Sequence, residues 1–164
     1  MNMSKGTELL TQGLSKGYAG KTKTEPINRG GLAFKRSCYV DESTGGTYHD
    51  EWLSARTGGG QELASVGEEK VTRLYAGGVI SPDQLEKLGI TKKEVIGYLI
   101  KKVGELGNET RLFEDCTPAP DGDWQYVYKI TDKIESVELT RALETINYKG
   151  VQVFVHGFEI CPIS

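Results

Sequence analysis

The stretch "SPDQLEKLGITKKEVIGYLIKKVGELG", residues 81–107, decides the fold class. Ser81 is an N-cap, Pro82 fits the first helical position, Gln84 closes a capping box, and Gly89 stops the short helix. Thr91 and Glu94 form a second capping box. The helix it opens carries Val95, Leu99, Val103 and Leu106 along one stripe, with Ile96 and Ile100 beside it, and ends at Gly107. This spacing predicts a central helix pair over 82–106.

Strand patterns lie on both sides of the pair. Residues 32–40, "LAFKRSCYV", alternate so that Leu32, Phe34, Cys38 and Val40 share a face interrupted by Arg36. "STGG" (43–46) turns into "TYHDEWL", giving a hairpin over 32–53. A loop at "TGGG" precedes a second hairpin over 61–76. After the helices, "DWQYVYKI" aligns Trp124, Tyr126, Tyr128 and Ile130, and a last hairpin turns near Tyr148-Lys149-Gly150. A short helix over 7–15 opens the chain. The expectation is one α+β domain, a mainly antiparallel curved sheet packed against the central helices. Edges near 124–130 or 150–156 would favour a homo-oligomer.

Residues 60–80 and 140–160 align without a gap, Leu63 on Leu143, Val66 on Ile146 and Gly77 on Gly157. Two pseudo-related halves, about 17–80 and 108–164, joined by the helices at 82–106, would produce this echo.

Composition excludes several functions. The chain has 164 residues, a net charge of -3 and a mean hydropathy of -0.40. No apolar run reaches a membrane span, so no membrane partner is expected and the location is read as cytoplasmic. Three cysteines without CxxC spacing and two histidines argue against a metal or other cofactor. An acidic protein lacking a reader motif is not expected to bind nucleic acid. Charge is uneven, however: residues 1–40 hold seven Lys and Arg against two Glu, a plausible anion-binding segment.

That segment contains "SKGYAGKT", 15–22, one residue short of a phosphate-binding P-loop because Ser15 stands where the first Gly belongs. The required strand before it and helix after it are missing, so the P-loop reading fails. What remains is a glycine-rich loop with Tyr18, Lys21, Lys23 and Arg29.

"GYAG", "RGGLAFKR", "YHD" (48–50), "GQE" (60–62) and "LYAGG" (74–78), with "DGDWQY" (121–126) and "GFEI" (157–160), resemble the bacterial domain-of-unknown-function family 5680. The resemblance runs from about Thr7 to Ile160. It implies a small-ligand sensor, since members often follow a helix-turn-helix DNA-binding domain. No such domain is present here, and Val71-Thr72-Arg73 replaces the usual tryptophan. A detached module of this kind resembles, in role, viral sponges that sequester immune signalling nucleotides.

The resulting expectation is a non-catalytic protein that sequesters a small anionic nucleotide, such as a cyclic dinucleotide. Its site is placed at Tyr18, Lys21, Arg29, Arg36, Tyr48 and Trp52, cations for phosphates and aromatics for bases. Two alternatives stand beside it. One is a phosphodiesterase-like enzyme using His49 and Asp50, although strand neighbours point to opposite faces. The other is an inhibitor acting through protein–protein contact.

Overall fold

The computed structural model describes residues 4–17 and 23–164. The element order is α1 (Lys5–Lys16), β1 (Glu25–Arg29), β2 (Leu32–Asp41), β3 (Gly46–Leu53), β4 (Thr57–Val66) and β5 (Glu69–Val79), then α2 (Pro82–Leu88), α3 (Lys92–Leu106), β6 (Trp124–Ile134), β7 (Leu139–Tyr148) and β8 (Val151–Pro162). All eight strands form one antiparallel open sheet in the order β1-β2-β3-β4-β5-β8-β7-β6. This is an α+β fold with three helices, the N-terminal one packed on the sheet. No helix among the described residues is long and apolar enough to cross a membrane.

The central helices begin and end where the capping residues dictate. Ser81 with Gln84 and Thr91 with Glu94 both form complete capping boxes, and Gly89 closes α2 in the left-handed conformation. The apolar stripe of α3 (Val95, Leu99, Val103) joins Tyr126, Tyr128, Ile146 and Phe154 in the larger core cluster. A second cluster lies under α1, where Leu9 and Leu10 meet Tyr48, Ala64, Val66 and Val71. Both clusters lie against the same sheet face; among the described residues the opposite face carries the exposed Leu63, Leu74 and Leu143.

Several expectations need correction. The "TGGG" stretch is not a loop but the start of β4, with Gly58 opposite Gly77 and Gly60 opposite Tyr75. Here glycine is demanded by crowding. A Cβ on Gly77 would sit 2.0 Å from the Val155 carbonyl oxygen, and the residue's φ is +140°. The segment 25–29, read as loop, is the edge strand β1, which accommodates Pro26 because an edge needs no complete hydrogen-bond ladder. On β2 the apolar alternation lies on the outer face, leaving Leu32, Cys38 and Val40 exposed, while the buried position is Ser37. The segment 150–156 is not at an edge, since β8 lies between β5 and β7; the sheet edges are β1 and β6.

Helix α1 docks through Gly13. A Cβ there would lie 2.0 Å from the Tyr48 ring, so only glycine lets the helix lie flat on that ring. Gly13→Ala gains about 1 kcal/mol of helix propensity but forces the helix off the sheet, an overpacking cost of about 1–3 kcal/mol. The expected outcome is net destabilisation, read as a lower urea midpoint.

Candidate functional site

Between the two apolar clusters runs a belt of buried polar groups. Asp50, Glu62 and Arg73 stand side by side on β3, β4 and β5, and Tyr128, Glu144 and His156 do the same on β6, β7 and β8. Each glutamate is held in the same way. Tyr48, two residues before Asp50, donates its hydroxyl to Glu62 at 2.7 Å; Tyr126, two residues before Tyr128, donates to Glu144 at 2.6 Å. Arg73 forks onto Glu62, its Nη2 donating at 2.7 Å, and Arg111 forks onto Glu144 with two bonds of 2.7 Å. The meander β3-β4-β5 thus repeats as β6-β7-β8, the two joined where Tyr75 faces Phe158 across β5 and β8. The equivalences differ from the ungapped alignment: Glu62, not Ala64, stands in the place of Glu144.

Arg111 comes from the segment between α3 and β6. Its φ of +59° is uncommon for a residue with a side chain. That conformation places the guanidinium against Glu144 and turns the carbonyl oxygen to accept a 2.6 Å bond from Arg73 Nη1. On either side, Thr110 bonds the Tyr126 hydroxyl and the Leu112 carbonyl accepts from Tyr128. Burial by itself would raise the Glu144 carboxyl; the Arg111 charge and hydrogen bonds outweigh it and hold the group at about 2.

Beside this belt opens a cavity of about 360 Å³, at the small end of the roughly 300–1,000 Å³ typical of ligand sites. Its sheet side presents Asp50, Trp52, Tyr75, Phe154 and His156, along with the glycines of β4 and β5, and its roof is Leu14 of α1 with Ile96, Leu99 and Ile100 of α3. Asp50 is 2% exposed and accepts a 2.9 Å bond from the Tyr75 hydroxyl at Oδ1. Burial, then the neighbouring Glu62 charge, pushes its carboxyl up to about 8, against the pull of Tyr75, Arg73 and Arg111. His156 stacks obliquely on Tyr75 at 5.4 Å, and its Nδ1 is buried without a hydrogen bond, 3.6 Å from Glu144. At the mouth the exposed Lys35, Arg56 and Lys92 supply positive charge. Among the described residues Lys35 and Lys92 form no ion pair, and Arg56 donates to the Val79 carbonyl.

The residues singled out from sequence are not gathered there. Trp52 lines the cavity. Tyr48 shares its strand face but is buried beneath α1. Arg29 and Arg36 lie on the outer face, paired with Glu51 and Glu25. Tyr18 and Lys21 fall outside the described residues. His49 and Asp50 do point to opposite faces, which separates the pair invoked for phosphodiester cleavage. Asp50, Tyr75, Arg111 and His156 were missed as a group. Only the position of Asp50 two residues before Trp52, on the same strand face, hinted at them.

No protein-family model, curated protein or solved structure matches the chain.

Arg111→Ala leaves Glu144 buried and unpaired, an expected loss of about 3–5 kcal/mol in equilibrium unfolding. Replacing both partners, Arg111→Met with Glu144→Leu, should cost less. Because Glu144 lies below its unfolded value of about 4.3, its stabilisation is complete above that pH and is lost as pH falls toward 2. In acid titrations the double variant should lose this part of the acid-unfolding limb.

Proposed function

We propose that the protein is a non-catalytic binder that encloses the base of a small nucleotide-type anion in this cavity and holds its phosphate at the mouth. The observation that carries the reading is the gradient of chemistry along the cavity. Its inner end offers aromatic faces and hydrogen-bonding groups without net positive charge, while Lys35, Arg56 and Lys92 ring the entrance. A phosphate is poorly served beside Asp50 and Glu62, whose neighbouring arginines are already committed to carboxylates. It is well served by exposed cations that keep their hydration until contact. A base, in contrast, gains from Trp52 and Tyr75.

Comparison of the two meanders supports the same reading. The positions equivalent to Asp50, Trp52 and Tyr75 are Tyr128, Ile130 and Phe158; Tyr128 and Phe158 are buried in the larger core cluster and Ile130 is half-buried against it. The first meander places a buried carboxylate, Asp50, where the second places Tyr128, and the tyrosine that bonds it, Tyr75, where the second places Phe158. Stability alone favours filling. A ligand explains the exception.

A cavity of about 360 Å³ fits one nucleotide unit, so a cyclic dinucleotide would extend through the mouth or into a second copy of the chain. Sequestration or sensing is the expected mode, in line with the ligand-sensing role implied by the resemblance to the 5680 family. The phosphodiesterase alternative loses its pair, because His49 and Asp50 serve different faces.

A thermal-shift and calorimetric panel of AMP, GMP, CMP, UMP and cyclic dinucleotides tests the proposal. At least one should bind and be recovered intact. The double variant Lys35→Ala/Lys92→Ala should weaken it about tenfold, about 1.4 kcal/mol, with affinity falling as salt rises. Trp52→Ala should remove about 1–3 kcal/mol of stacking. Absence of any nucleotide binding, or steady turnover of the bound compound, would overturn the reading.

A further inference from the structure

The outer face of the sheet, opposite the cavity, carries a second constellation. Cys38 on β2 stands directly across from His49 on β3, and its Sγ lies 3.2 Å from His49 Nδ1. The other ring nitrogen, Nε2, is 3.0 Å from Glu51 Oε1. Glu51 is fixed in turn by Arg29, which donates from Nε and Nη2 at 3.2 and 3.0 Å. Cys38 is exposed and the His49 side chain is one-third exposed, so the sulfur is open to solvent reagents. Arg36, two residues before Cys38 on the same face, is paired with Glu25 at 2.6 Å.

This arrangement differs from a cysteine that merely sits beside a histidine. With Glu51 accepting from Nε2–H, the neutral imidazole keeps its lone pair on Nδ1, the atom nearest the sulfur. The thiol proton then has an acceptor in place, and the imidazolium that forms is stabilised by the Glu51 carboxylate. Such an order of nucleophile, base and orienting acid is what activates a thiol. None of Cys38, His49 and Glu51 lines the cavity described above, so the thiol meets its reagent at the open sheet surface.

We propose that Cys38 is a thiol–disulfide exchange site, activated by His49 and oriented by Glu51, that takes up a small disulfide of the glutathione type. In the step, His49 Nδ1 accepts the Cys38 proton as Sγ attacks one sulfur of the disulfide. The Cys38–sulfur bond forms, the reagent's S–S bond breaks, and the departing thiolate takes the proton from the imidazolium to leave as a thiol. Glutathione disulfide is the oxidant, and one equivalent of glutathione is released. The site shares β3 with the cavity but none of its lining residues, so it does not depend on nucleotide binding.

Timed exposure of the reduced protein to glutathione disulfide, followed by intact-mass measurement and peptide mapping, tests this. Cys38 should acquire the glutathione adduct at least about tenfold faster than Cys116 or Cys161, both half-buried. His49→Gln should slow modification of Cys38 about tenfold, and Glu51→Gln severalfold, with unchanged thermal melting because all three side chains lie on the solvent face. Cys38→Ser should abolish the fast phase. Equal reactivity of the three cysteines, or an unchanged Cys38 rate in His49→Gln, would overturn the proposal. Those outcomes would leave the cavity reading untouched.

Discussion

Two ion pairs, Arg73–Glu62 and Arg111–Glu144, lie between the two apolar clusters, and the remaining structure is arranged to keep them satisfied. Charges removed from water are tolerated only when each is paired and its remaining hydrogen-bonding capacity is used. Tyrosines 48 and 126 complete the glutamates, and the Arg111 carbonyl completes Arg73. That requirement holds Arg111 in an uncommon backbone conformation and so constrains how α3 is joined to β6. Partnering across the belt therefore ties a loop, five strands and both core clusters to one geometry. An apolar belt would hold the elements together without specifying how they register.

Strand β3 shows how much the alternation of a strand can separate. Tyr48, Asp50 and Trp52 face the helices, serving in turn the α1 interface, the polar belt and the cavity wall. His49 and Glu51 face solvent and belong to an unrelated set of partners on β1 and β2. Consecutive residues thus have no chemical business with each other, whereas residues two apart are parts of one surface.

Much of the fold was legible in sequence, because local chemistry fixes it. Capping boxes at Ser81 and Thr91, the 3.6-residue stripe of α3 and the alternation around Tyr126 each depend only on near neighbours. Elements governed by distant contacts were not legible. The glycines at 58–60 look like a loop until Leu53, Glu51 and Tyr75 are known to press against them. β1 carries a proline and few apolar residues, so nothing in its own composition marks it as a strand. The site was least legible of all. Arg29 and Arg36 look available in sequence because their carboxylate partners, Glu51 and Glu25, are brought close only by strand pairing. Asp50, Tyr75 and His156 come from three strands whose adjacency requires β8 to insert next to β5.

That insertion has a consequence for biosynthesis. The strand Val151–Pro162 lies inside the sheet and, among the described residues, its pairing with β5 is the ladder that links the two meanders. While the protein is being made, β5 therefore presents an unpaired edge until residues 151–162 have also left the ribosome. Exposed edges recruit other strands, and sheets closed by distant contacts form slowly. The nascent chain must be kept apart from its neighbours during that interval. Loss of residues 151–162 would split the sheet internally instead of trimming its margin.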